Sequence, residues 1–256
     1  MSKKLADTLR PALGHFWLLL RTSAPPAIYG HYLLHLLTAG RTARFKPVQD
    51  SFVAQQNSLR LTNPWFGRYI PYWLEAFERC GLLAPGRRIE ALEIGSWEGQ
   101  SGNFILRTLT NARLTCVDTW EGGDEHKDMD ALTIIEANFD SNLQPFQDRL
   151  TKFKGTSARY FALGGTNGPF DLIYVDGSHH SDDVMVDAMK GFELLKNGGV
   201  IIFDDYFWRH YRNPRDNPAG AINAFLRLKK GSYRIVRAYY QLIIQKRESG
   251  RERALR

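Results

Sequence analysis

At 256 residues, 43% apolar and 24% charged, the chain has room for one α/β domain with an extension or for two small domains, and its composition excludes a disordered protein. Much of the net charge of +7 sits in "MSKK", "RTARFK" and the tail "KRESGRERALR", which describes basic ends rather than a nucleic-acid-binding stripe. Cys80 and Cys116 form neither a metal-ligand spacing nor a disulfide framework, the usage of an intracellular protein with reduced thiols.

The first apolar stretches, "GHFWLLL" (14–20) and "AIYGHYLLHLL" (27–37), are separated by Arg21 and "SAPP". Neither reaches the roughly 20 residues that span a bilayer. A signal peptide needs an unbroken apolar centre, which His15 and Arg21 interrupt. Residues 1–60 therefore read as a helical extension, with amphipathic helices that pack on the main domain or touch a membrane surface. The expected location is the cytoplasm, with peripheral contact at the inner membrane surface left open, as is homo-oligomerisation. Phe66, Ile70, Trp73 and Phe77 then recur at helical spacing, so a helix with one apolar face covers the sheet or the mouth of a site.

From Arg88 the pattern alternates regularly. "RIEALEI" is a strand and "GQSGNFILRTL" a helix behind a glycine turn; "ARLTCVD" is the next strand. The acidic loop "TWEGGDEHKDMD" follows, in which His126 reads as solvated, and then a helix near 131–147 and the short strand "LTKFKG". "SARYFALGG" is a brief helix, "FDLIYVD" an apolar strand, "SDDVMVDAMKGFELL" a helix and "GGVIIFDD" another strand. After a proline-bearing loop come the helix "AGAINAFLRLKK" and two closing strands in "YRIVRAYYQLIIQK". Strands of near-continuous apolar residues alternating with helices define an α/β domain whose mostly parallel sheet is covered on both faces. Its bounds are 61–246, followed by a basic tail over 247–256.

Ligands in such sheets bind beyond the carboxyl ends of the strands. After the first strand, "LEIGSWEGQS" places Gly95 and Gly99 where a tight turn brings backbone N–H groups to a ligand. Trp97 and Gln100 occupy the second and third glycine positions of the dinucleotide pattern, which counts against an NAD-dependent oxidoreductase. Glu93 inside the turn favours a cationic group. Asp118 ends the second strand, where a carboxylate accepts both hydroxyls of a ribose, with Trp120 beside it to flank an adenine ring. Asp176 and Asp204 end strands separated by one crossover, so Asp176, Asp204 and Asp205 gather at one corner. Carboxylates that close repel unless a cation sits among them, and an all-oxygen set suits Mg²⁺ or another hard divalent cation. Because consecutive strand residues point to opposite faces, Asp204 and Asp205 both ligate only if the chain turns there. His179 and His180 follow within reach as bases, His179 first, with helix capping as the structural alternative.

"ALEIGSWEGQS", "LTCVDTW", "FDLIYVDGSHHSDDVMVDA" and "LLKNGGVIIFDDY" together resemble the class I S-adenosylmethionine-dependent methyltransferases. The likeness is to the bacterial branch that includes the macrocin-type sugar O-methyltransferases and the cephalosporin-biosynthesis methyltransferase. It covers about residues 62–246, and the run Tyr174–Tyr206 is its most specific part. It implies a Rossmann-like seven-stranded sheet with an antiparallel last strand. It also implies S-adenosylmethionine as cofactor, with Glu93, Gly95 and Gly99 along its methionine part and Asp118 on the ribose. Thr156 or Ser157 would approach the adenine, and Ser96, Thr119, Trp120 and Asp176 complete the expected cofactor set. Asp176, Asp204 and Asp205 match the Mg²⁺ positions of metal-dependent relatives. Many members have glycine where this chain has Trp97, so the loop must take a bulkier path. The expected partner is a small hydroxylated acceptor such as a sugar or catechol-like diol, not a nucleic acid: there is no N-P-P-Y-like sequence and the basic residues are dispersed. A non-catalytic module keeping the fold is the rival reading.

Overall fold

The computed structural model describes residues 3–123, 132–165 and 168–248. His126 and most of the tail lie outside the described residues.

Three helices lead the chain: α1 (Lys3–Arg21), α2 (Pro26–Thr38) and α3 (Lys46–Gln55), before α4 (Ile70–Arg79). The α/β core then runs β1 (Ile89–Ile94), α5 (Gln100–Thr108), β2 (Ala112–Asp118), α6 (Leu132–Leu143), β3 (Leu150–Lys154), α7 (Ser157–Ala162) and β4 (Phe170–Val175). It closes with α8 (Ser181–Leu194), β5 (Leu195–Phe203), α9 (Pro218–Leu228), β6 (Tyr233–Ala238) and β7 (Leu242–Lys246). The seven strands lie in the order β3-β2-β1-β4-β5-β7-β6. β1 to β5 pair in parallel, and β7 inserts antiparallel to both β5 and β6. Strand order reverses between β1 and β4, which opens a crevice at their carboxyl ends.

Each strand feeds two cores, because its residues alternate between faces. Ala91, Leu114, Cys116, Leu172, Tyr174 and Ile202 pack with α4, α5 and α6 on one face. Leu92, Val117, Ile173, Val175, Ile201 and Phe203 pack with α8 and α9 on the other. The expected stripe of Phe66, Ile70, Trp73 and Phe77 is buried in the first core. The extension is no detached appendage: Leu18, Leu19, Ile28 and Tyr32 are buried in the second core beside Phe207 and Ile222.

Candidate functional site

The loop after β1 is shaped by contact with the loop after β4. Gly95 has φ +83°, and a Cβ there would lie 1.9 Å from the Asp176 carbonyl oxygen, so only glycine fits. The Asp176 N–H donates to Ile94 O at 2.7 Å, closing the two strand ends together at the switch point. Trp97 takes φ +46°, the left-handed conformation a glycine adopts easily, so the bulkier residue is held here in a strained backbone conformation. Gly99, at φ +75°, then starts α5.

Asp118 clasps this loop. Its Oδ2 accepts from the N–H groups of Ser96 (2.7 Å) and Trp97 (2.8 Å), and its Oδ1 accepts from Trp120 N–H at 2.7 Å. A carboxylate has about four acceptor positions, so little is left for ribose hydroxyls unless the clasp opens. Trp120 departs from expectation more clearly. It is buried, packed on Phe139 with Lys152 over its ring, and its Nε1 donates to Trp97 O, so it is part of the core rather than exposed beside Asp118. Glu93 is fully buried below the loop, accepting from Ser101 and from the Cys116 thiol, and burial pushes its carboxyl up to about 7. Thr119 accepts from Glu121 N–H, and Thr156 caps α7 by accepting from Arg159 N–H, with Ser157 opening that helix.

The carboxylate corner forms, with one change of membership. Asp205, at φ +51°, turns the chain as it leaves β5. Its Oδ2 lies 2.8 Å from His179 Nε2, and Asp176 Oδ1 lies 4.0 Å from the same nitrogen. One ligand atom from each of Asp176, His179 and Asp205 falls within 4.8 Å of the others. Asp204 instead points inward. Its Oδ1 accepts from Asp205 N–H, and its Oδ2 accepts from the Tyr174 hydroxyl and from Gln241 Nε2 at 2.8 Å. Of the expected Asp176–Asp204–Asp205 set, Asp176 and Asp205 thus converge with His179, while Asp204 is engaged in the buried network behind them. Tyr174 bridges the inner and outer carboxylates by also reaching Asp176 at 2.9 Å. Burial, together with the neighbouring carboxylate charges, raises the Asp204 carboxyl well above its usual range and holds Asp176 at about 6. His180 is turned away, its Nδ1 facing Asp182 N–H at the start of α8, so it caps a helix.

Several partners carried no sequence signal. Glu98 is buried and accepts from Thr62 N–H and Oγ1 and from Asn138; Asn142 bonds both backbone groups of Arg60 and the Glu98 carbonyl. The segment around residues 60–62 is thereby strapped over the glycine loop. Gln241 links Trp73 to Asp204 through buried hydrogen bonds. Trp208 lies against the His179 ring at 4.7 Å, and Tyr240 stacks on Tyr69. A lone Glu, Asn or Gln has many bland uses, so only packing discloses these roles.

A seven-stranded sheet of this order, with a glycine turn after β1 and an acid after β2, is the fold of the class I S-adenosylmethionine-dependent methyltransferases. Residues 92–206 match the family described as a methyltransferase domain. Among solved structures, the MycE methyltransferase from the mycinamycin biosynthetic pathway, in complex with Mg, SAH and mycinamycin VI, superposes with a TM-score of 0.51 at 16% identity over 70% of this chain. This chain covers 50% of that one. The O-methyltransferase from Bacillus cereus in complex with SAH gives 0.50 at 17% identity, over 86% of this chain and 100% of its own. The uncharacterized protein R132 of Acanthamoeba polyphaga mimivirus is 23% identical over 172 residues, 67% of this chain and 75% of its own.

Proposed function

We propose that the protein transfers the methyl group of S-adenosylmethionine to a hydroxyl oxygen of a small acceptor, a sugar or catechol-like diol. The observation that carries this reading is the meeting of the strained glycine loop with the Asp176–His179–Asp205 corner at the switch point. The SAH held by the MycE and Bacillus cereus structures supports the cofactor, and the Mg of MycE supports a cation. In this reading residues 61–246 carry the chemistry and residues 1–60 pack on it, α1 and α2 in the second core and Phe52 of α3 in the first.

The sulfonium supplies a methyl group that is already strongly electrophilic, so the protein's work is alignment and removal of the acceptor proton. His179 takes that proton at Nδ1, since its Nε2 faces the Asp205 carboxylate. Asp205, 2.8 Å away, fixes the ring and stabilises the imidazolium that forms. Trp208 covers the imidazole and excludes water from it. Asp176, which lies between the glycine loop and His179, orients the acceptor.

The corner also fits a hard divalent cation: two carboxylates and one imidazole converge there. Asp176, His179 and Asp205 would hold it, and it would supply Lewis acidity to a hydroxyl oxygen. An imidazole nitrogen that ligates a cation does not also take a proton, so the two uses of His179 are separable. Calorimetric titration with S-adenosylhomocysteine tests the cofactor, and Mn²⁺ titration followed by electron paramagnetic resonance tests the corner. Micromolar S-adenosylhomocysteine binding is expected, and its absence refutes the function. Mn²⁺ binding lost in Asp205→Asn but kept in Asp204→Asn is expected of the cation site; no Mn²⁺ binding leaves His179 as the base.

A further inference from the structure

The helices α1 and α2 bury one face and leave another apolar face outside. On α1, Ala12, Leu18 and Leu19 are buried, while Leu13 (66% exposed), Trp17 (48%) and Leu20 (69%) form a ridge at spacings of four and three. On α2, Ile28 and Tyr32 are buried, while Leu33 (50%), Leu34 (51%) and Leu37 (76%) stand outside. Residues 22–40 contain no Asp, Glu, Lys or Arg. An uncharged helix with leucines outside its buried face is ordinarily covered there too, yet Leu33, Leu34 and Leu37 stand exposed.

The charge along this part of the chain is nearly one-signed. Residues 1–49 hold seven Lys or Arg against the single acid Asp7, which accounts for +6 of the net +7. Between residues 8 and 49 there is no acid at all. Arg21 and Arg41 flank the uncharged stretch and are exposed, and Arg21 lies over the Trp17 ring at 5.7 Å. Arg44 and Lys46 are already engaged with Glu78 and Asp50.

We propose that α1 and α2 dock this protein on an anionic bilayer surface. The exposed leucines enter the boundary between headgroups and acyl chains, Trp17 sits at headgroup level, and Arg21 and Arg41 meet lipid phosphates. No described helix is long and apolar enough to cross the membrane, so the contact is peripheral. A second copy of the chain fits less well. A two-fold interface sets the same surface against itself, and here that would bring two strongly basic rims together. The docked helices adjoin the site: His15 stacks on Phe207 at 4.1 Å, and Tyr32 packs edge-on to the same ring, in the loop that carries Asp205 and Trp208. The inference stands apart from the methyl-transfer reading and does not depend on it.

Flotation of the full chain with vesicles tests it, using phosphatidylcholine alone and phosphatidylcholine mixed with phosphatidylglycerol. The protein is expected to float with the anionic vesicles and to be released by high salt. The double variant Arg21→Glu/Arg41→Glu should weaken that binding by at least about tenfold. The variant Leu13→Ser/Leu20→Ser/Leu37→Ser should do the same, and each variant's thermal midpoint reports whether it still folds. No flotation with anionic vesicles overturns the proposal, as does equal flotation with both kinds. A soluble dimer dissociated by the leucine substitutions, with no vesicle binding, overturns it in favour of a second copy.

Discussion

Glu93 is the sharpest test of how this site's interior is built. Its carboxyl is fully buried between β1, α5 and β2, with a pKa near 7 against an ordinary value of 4.5, and burial is the largest cause. Between those two values the unfolded chain has released the proton and the folded chain has not. The folded state therefore binds more protons, and stability falls as pH rises. The slope approaches about 1.4 kcal/mol per pH unit, so the loss accumulated by neutral pH is about 3 kcal/mol. Above the folded pKa the contribution is flat. Glu93→Gln keeps the shape and an oxygen to accept from Ser101, and it removes the proton equilibrium. Urea denaturation of both proteins from about pH 5 to about pH 8 isolates the effect, since other groups titrate alike in each. The variant is expected to gain on the wild type by about 2.5 kcal/mol across that range. Asp187, also raised to about 7 by burial, gives a similar downward slope in both proteins and cancels in the difference. A difference between the two proteins that does not change with pH would refute the argument, because Glu93 would then ionise as if solvated.

Three further outcomes are expected. Gly95→Ala should cost several kcal/mol, about 3 to 5, since the new Cβ meets a carbonyl held by the β1–β4 ladder, whereas Gly198→Ala, at the same φ of +83° in open space, should cost only about 1 to 2; denaturation midpoints of the pair separate clash from backbone strain. Asp118→Ala releases three backbone N–H groups of the loops after β1 and β2 and should weaken S-adenosylhomocysteine binding by about tenfold or more in calorimetry, with Asp118→Asn intermediate. Asn142→Ala removes three hydrogen bonds from a buried strap, so a loss of about 2 to 4 kcal/mol is expected, with faster proteolysis near residues 60–62.

The sequence by itself determined the elements of the α/β core, though β5 begins at Leu195 rather than Gly198 and α6 ends at Leu143 rather than near 147. Period-two and period-3.6 patterns are local, and β2 falls on the strand read from "ARLTCVD". Gly95 and Gly99, Asp118, Asp176 and Asp205 were legible because a residue type that is costly inside a strand stood at its carboxyl end. What only the tertiary structure decided is which way side chains at those ends face. Asp204 and Asp205 are neighbours in sequence, yet one enters a buried network with Tyr174 and Gln241 while the other meets His179. Trp120 turns into the core because Phe139, contributed by α6, offers it a partner there. The strap of Glu98 and Asn142 over the glycine loop joins residues up to 82 positions apart. The burial of α1 and α2 on a sheet face was likewise undecided by their own pattern, since an apolar stripe does not say what covers it. Spacing along a chain records the direction of a side chain relative to its own element. Its partner is fixed only when a distant element arrives to exclude water from it.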